Sequence, residues 1–204
     1  MTREPASLVL ASGSATRRAM LSAAGIDVTV RPADVDERAI RQSLLSRDAS
    51  VSHESVALAL AEAKAKAVSE SLSGALVIGA DQVLSFDGQL FEKPKSMTEA
   101  REHLWTMRGK SHTLHSAVAL AQGGSTVWRN TETATLTMRE FSEAALDAYL
   151  ARVGDVVLTS VGAYQIEGPA IQLFEAIDGD HDTILGMPLL SLIAELRRRE
   201  VLAS

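Results

Sequence analysis

The chain has 204 residues, 46% of them apolar and 23% charged, which is ordinary globular usage and argues against an intrinsically disordered chain. Lys and Arg number 20 against 26 Asp and Glu, a formal charge of −6, so no basic footprint for nucleic acid covers the surface, and an anionic partner must be met by a local cluster. The absence of cysteine excludes disulfides, thiolate zinc sites and cysteine nucleophiles. The length fits one domain, or one domain with two lobes. No apolar stretch approaches the roughly 20 residues that span a bilayer, and residues 1–6 lack the apolar centre of a secretory signal. A cytoplasmic protein with no membrane or nucleic-acid polymer as partner is the expectation.

Residues 7–11 read as a short buried strand, followed by Ser12, Gly13 and Ser14 and a helix over 15–24 that Gly25 can end. A second helix is predicted over 52–72, from Val56, Ala59, Leu60, Ala63 and Ala67 at helical spacing, with Ser73 and Gly74 closing it. The apolar run 75–86, then Asp87-Gly88 and 89–92, has the pattern of a hairpin with a two-residue turn. Ser96 and Glu99 form a capping box for a helix ending near Gly109. Residues 111–121 and 128–138 read as paired strands joined across Gln122, Gly123 and Gly124. Ser142 caps a helix to about Arg152, and 156–159, 163–166 and 172–177 are candidate strands. Pro188 opens a last helix with Leu189, Leu192, Ile193 and Leu196 as its buried stripe and Arg197, Arg198 and Arg199 at its negative end. Helices mixed with hairpins predict an α/β fold with a mixed sheet.

Two places carry chemistry. In Ser12-Gly13-Ser14-Ala15-Thr16-Arg17-Arg18, two arginines in the first helical turn oppose the usual charge preference there. Either both point to water, or hydroxyls, glycine backbone and guanidinium forks together hold phosphate oxygens. In Ile78-Gly79-Ala80-Asp81-Gln82, a carboxylate interrupts a strand of the core, so Asp81 must pair, bind a metal or face a cleft. Period-2 alternation puts Gly79 on its face, where the missing side chain leaves room for a ligand or hydrated ion.

Lys93 is the nearby cation, although an ideal turn at Asp87-Gly88 places it opposite Gln82, on the other face from Asp81. A bulge or unpairing before Pro94 would resolve this. Read alone, Lys64 on its helix and Glu37 in Asp34-Val35-Asp36-Glu37 are solvated surface. Paired with Asp81, Glu37 would give two oxygen ligands suited to Mg²⁺. His112 and His115, three apart in a strand, face opposite sides and make no zinc pair.

These pieces together resemble the Maf family of nucleoside triphosphate pyrophosphatases. The matches run in order: 8–14 with Arg17-Arg18, Val35-Asp36-Glu37, 61–65, 78–81, Glu92-Lys93-Pro94, Arg108-Gly109 with His112, Gly162-Ala163-Tyr164 and 185–189. The resemblance implies an elongated α/β fold with a cleft between two lobes, a homodimer, a divalent metal (Mg²⁺, Mn²⁺ or Co²⁺), and cleavage of a nucleoside triphosphate to monophosphate and pyrophosphate. It makes Asp81 the catalytic residue, sharing a metal with Glu37. It assigns Ser12, Gly13, Ser14, Arg17, Arg18, Glu37, Lys64 and Lys93 to substrate.

Gln82 and Glu167 look like the branch acting on 7-methyl-GTP, where a carboxylate can accept from the N1 and N2 edge of a cationic guanine. Thr16, where that branch often has Trp, and Ala15, where the family usually has Pro, depart from the pattern. The alternatives are a dTTP/UTP pyrophosphatase, or a nucleotide sensor without turnover linked to cell division.

Overall fold

The computed structural model describes residues 7–48, 50–72 and 74–203. A seven-stranded mixed sheet runs in the order β2-β1-β3-β5-β6-β7, with β4 paired to β3. The strands are β1 (Leu8–Leu10), β2 (Thr29–Val30), β3 (Leu76–Phe86), β4 (Gln89–Phe91), β5 (Ser111–Gln122), β6 (Ser125–Met138) and β7 (Phe174–Asp178). The helices are α1 (Ala15–Ala23), α2 (Glu37–Arg47), α3 (His53–Glu70), α4 (Met97–Met107), α5 (Glu143–Val153), α6 (His181–Ile184) and α7 (Leu189–Arg198). None of the described helices is long and apolar enough to cross a membrane.

The chain divides into two compact units, Met1–Gln82 with Ser116–Glu132 and Asp182–Ser204, and Val83–His115 with Thr133–His181. In the first unit β1 pairs in parallel with both β2 and β3. Both faces of this pair are covered, which is why these strands read as unbroken apolar runs rather than alternating ones. Leu8, Leu10, Leu76 and Ile78 pack with Met20 and Leu21 of α1 and with Leu192 and Leu196 of α7. Val9, Ala11 and Val77 turn the other way, toward Val68 of α3.

In the second unit, β3 and β4 form the predicted hairpin with Phe86 opposite Gln89. Asp87 and Gly88 adopt φ of 48° and 75°, the left-handed pair that a two-residue turn between twisted strands requires. Pairing stops at Leu84↔Phe91, so the chain has left the ladder before Lys93. Ser96 accepts from the Glu99 N–H, but the Glu99 carboxylate accepts from the Lys95 N–H, so the box closes one residue earlier than expected. A ring cluster of His112, Tyr164 and Phe174 packs here.

The structure corrects the reading of 156–177. Residues 154–159 are a 3-10 helix beginning at Gly154 (φ 59°), and Val156 is exposed, so the apolar residues here do not form a strand. Residues 163–166 form no strand, since Ala163 has φ 59°, outside extended space. Pro169 starts a second 3-10 turn through Leu173, and only Phe174–Asp178 is extended. Helix α2 was not expected at all: it has no buried residue, so it carries no apolar stripe to read. The expected closure of α3 at Ser73 lies outside the described residues.

Candidate active site

Strand β1 delivers the chain to the N-terminus of α1, where Ser14 is the N-cap, its Oγ accepting from the Arg17 N–H at 3.3 Å. Ser12 is buried, and its Oγ accepts from the Ser14 N–H at 3.3 Å and from Arg17 Nη1 at 3.2 Å. Arg17 also donates from Nη1 to the Ala80 carbonyl at 2.9 Å and from Nε to the Gly186 carbonyl at 2.9 Å. Two carbonyl dipoles thus offset the conflict of a cation at a positive helix end. Burial draws the Arg17 pKa down, against the pull of the Asp81 and Glu37 carboxylates.

The two arginines therefore differ. Arg17 is built into the strand ends, whereas Arg18 is exposed, as is Ala15; Thr16 is half-buried. Gly13 is exposed as well. Among the described residues a Cβ there would meet only Pro32, at 3.8 Å, so none of them requires glycine at this position.

Gly79 is the opposite case and corrects an expectation. A Cβ on it would lie 2.1 Å from the Ala61 carbonyl oxygen and 2.8 Å from Ala65 Cβ. The space beside Gly79 is filled by the backbone of α3 and not by a ligand. The buried face of α3 runs through Ala57, Leu60, Ala61, Lys64, Ala65 and Val68, not through Ala59, Ala63 and Ala67. Lys64 is therefore a buried residue and not a solvated one.

Close approach of α3 to β3 brings Lys64 Nζ to 2.6 Å from Asp81 Oδ1 and 2.7 Å from Glu37 Oε1. The Lys64 and Asp81 side chains are 11% and 9% exposed, while Glu37, at the first turn of α2, is 45% exposed. Burial raises the Asp81 pKa, opposed first by Lys64 and then by Arg17. The arrangement is an acid held between two cations, with its second carboxylate neighbour open to solvent. Asp81, Lys64, Glu37, Arg17 and Ser12 are thus brought together.

Among the described residues no group of three or more His, Cys, Asp or Glu gathers as a metal cage. Two carboxylates on one ammonium still form a hard, oxygen-only donor set. That set fits a cation such as Mg²⁺, which keeps several waters and completes its shell with phosphate.

Gln82, half-buried, spends its amide nitrogen on protein: it donates to Ser116 Oγ at 2.9 Å and to the Thr183 and Ile184 carbonyls at 3.1 and 3.0 Å. Only its carbonyl oxygen is left for other contacts. Lys93 and Glu167 belong to the second unit, where both are exposed. His112 and His115 take separate partners, Tyr164 Oη at 2.7 Å and Ser85 Oγ at 2.8 Å. Sequence reasoning missed Glu132, Ser116 and Thr183. Ser116, in an apolar strand, and Thr183 are wholly buried polar residues, whereas Glu132 lies in a polar stretch of β6 that carries no such signal.

Residues 7–199 match the family described as Maf-like protein. The chain is 53% identical over 193 residues to a 7-methyl-GTP pyrophosphatase of Brucella suis biovar 1, covering 95% of this chain and 96% of that protein. It is 52% identical to a protein of the same name from Rhizobium meliloti, covering 93% and 94%. It is 47% identical to a nucleoside triphosphate pyrophosphatase of Gluconobacter oxydans, covering 97% of each. Given a match along nearly its whole length, the chain belongs to the Maf-like protein family.

Proposed function

We propose that the chain hydrolyses the α-β anhydride of a nucleoside triphosphate, releasing the monophosphate and pyrophosphate, with 7-methyl-GTP as the favoured substrate. The observation that carries this reading is the buried Asp81 carboxylate held 2.6 Å from Lys64, beside the α1 N-terminus. The names of the relatives in Brucella suis, Rhizobium meliloti and Gluconobacter oxydans support it.

Asp81 takes a proton from water as its oxygen attacks the α-phosphorus in line; the new P–O bond forms while the bond to the β-phosphate bridge breaks. Arg17 and Lys64 meet the charge that collects on the leaving pyrophosphate, with the exposed Arg18 adding to it. Ser12, Gly13 and Ser14 offer hydroxyls and an uncrowded backbone to the phosphate chain. A divalent cation held by Asp81 and Glu37 would supply Lewis acidity and charge neutralisation. By resemblance, Lys93 serves phosphate, and Thr16, Gln82 and Glu167 serve the base, where a carboxylate suits the N1–N2 edge of a cationic guanine. On the same basis the reading carries a homodimer.

Pyrophosphate release from a panel of triphosphates, each with Mg²⁺, Mn²⁺ and Co²⁺, tests this. Turnover of 7-methyl-GTP above GTP, UTP and dTTP is expected. Preference for UTP or dTTP moves the chain to the other branch, and tight binding without release from any nucleotide leaves a sensor. Asp81→Asn should bind nucleotide and lose about 10²- to 10⁴-fold in kcat.

A further inference from the structure

A second polar network lies in the same unit, and of the groups assigned to substrate it includes only Gln82. Glu132, on β6, accepts from Thr183 Oγ1 at 2.9 Å through one carboxylate oxygen. Through the other it accepts from Ser191 Oγ at 2.5 Å and Asn130 Nδ2 at 3.1 Å. Thr183 ends one side of a turn and Ser191 lies in the first turn of α7, so one carboxylate grips the chain before and after Gly186, Met187 and Pro188. The Thr183 carbonyl is held in turn by Ser116 Oγ at 2.6 Å and Gln82 Nε2 at 3.1 Å, and it accepts from the Gly186 N–H at 3.1 Å.

This turn presents the Gly186 carbonyl to Arg17 Nε at 2.9 Å. Gly186 has φ of 105°, a conformation a side chain would strain, so the carbonyl's direction is set by the residues that pin the turn. Arg17 is also held through Nη1, by the carbonyl of Ala80, next to Asp81, and by Ser12 Oγ. A guanidinium is a planar fork, and what it can bind depends on which way the fork faces.

We propose that Glu132 is a positioning residue for Arg17: by fixing Thr183 and Ser191 it sets the turn whose Gly186 carbonyl orients the guanidinium toward a phosphate. This rests on the reading of Arg17 as a phosphate ligand. Glu132 touches no substrate; its effect passes entirely through the turn.

The test is a double-mutant cycle on the full-length protein, with kcat and KM for 7-methyl-GTP and Kd for inorganic pyrophosphate as readouts. Glu132→Ala should lower kcat/KM about 10- to 100-fold, as a misplaced catalytic fork does. In an Arg17→Ala background the same change should cost nothing further. Thr183→Val, close in volume but lacking the hydroxyl, should reproduce the loss, and Thr183→Ser should restore it. Thermal melting of each variant checks that it is folded, and Thr183→Val carries the cycle if Glu132→Ala is not. Losses that add fully in the Arg17→Ala background, or activity and affinity like the parent's in both variants, overturn the proposal. If the parent releases pyrophosphate from no nucleotide, the enzymatic reading fails, and the coupling is read in pyrophosphate affinity alone. A parent that binds no pyrophosphate overturns both.

Discussion

Lys64 and Asp81 are 17 positions apart, one on a helix and one in a strand, and their side chains meet at 2.6 Å with little exposure on either. A buried ion pair of this kind is weak support for stability as such, because desolvating both groups offsets much of their attraction. Its value lies in the state it imposes on the acid. Burial alone would push the Asp81 pKa up, and the neighbouring ammonium is the first of the influences that resist.

Lys64→Met therefore has two expected consequences. Breaking one side of the pair leaves the buried carboxylate with Arg17 as its remaining cation, and costs up to about 3–5 kcal/mol, the range for a broken buried pair. The Asp81 pKa then rises further, so the acid limb of kcat/KM against pH moves to higher pH. Urea denaturation and a pH profile of pyrophosphate release check both. An unmoved acid limb would separate Asp81 from the titration that limits turnover.

Glu37→Gln tests the other partner. Glu37 is 45% exposed and Lys64 retains Asp81 without it, so the fold should be little affected. Loss of one charged oxygen should raise the metal concentration for half-maximal activity about tenfold or more. Removing metal with a chelator should abolish turnover in the parent and leave its melting temperature close to unchanged. Equal metal titrations for parent and variant would take Glu37 out of the metal site.

What the sequence made legible was local. The hairpin at Asp87-Gly88 and the caps at Ser96 and Ser142 rest on residues within four positions of each other, and each is found in place. Asp81 was legible because a carboxylate inside an apolar strand needs a reason. Lys64 was not. Its burial depends on Gly79 letting the α3 backbone approach from 15 positions away in the chain, and alanines on every side of a helix do not mark its inner face. Residues 154–173 misled because apolar residues there pack as 3-10 turns with positive φ at Gly154 and Ala163, which valine-rich composition does not announce.

The two glycines of the site should behave oppositely. Gly79→Ala places a Cβ 2.1 Å from a helix carbonyl, so α3 must move away from β3. The expected cost is at least about 1–3 kcal/mol, the range for overpacking a core, together with lost activity as Lys64 leaves Asp81. Among the described residues Gly13→Ala meets only Pro32, at 3.8 Å, so its melting temperature should match the parent's while KM rises. Chemical denaturation with steady-state kinetics distinguishes them. A Gly13→Ala enzyme with unchanged KM would remove that backbone from the phosphate cradle.

His112 links stability to pH in a definite direction. It is 2% exposed, bonded at Nε2 to Tyr164, with no hydrogen-bond partner for Nδ1 among the described residues, and burial lowers its pKa from 6.5 to about 4. Between pH 6.5 and about 4 the unfolded chain binds a proton that the folded chain refuses, so this residue's contribution falls as pH falls through that window. Two to three pKa units correspond to on the order of 3 kcal/mol. Other groups titrate there too, and Asp81, with its pKa raised by burial, acts in the opposite sense. The quantity to measure is therefore the stability difference between the parent and His112→Phe at each pH. That variant keeps a ring against Tyr164 and Phe174 and cannot titrate. The difference should be flat above pH 7 and shift in favour of His112→Phe as pH drops toward 4. A difference that stays constant across the range would mean that the ring is protonated in the folded protein, with its charge met by water reaching Nδ1.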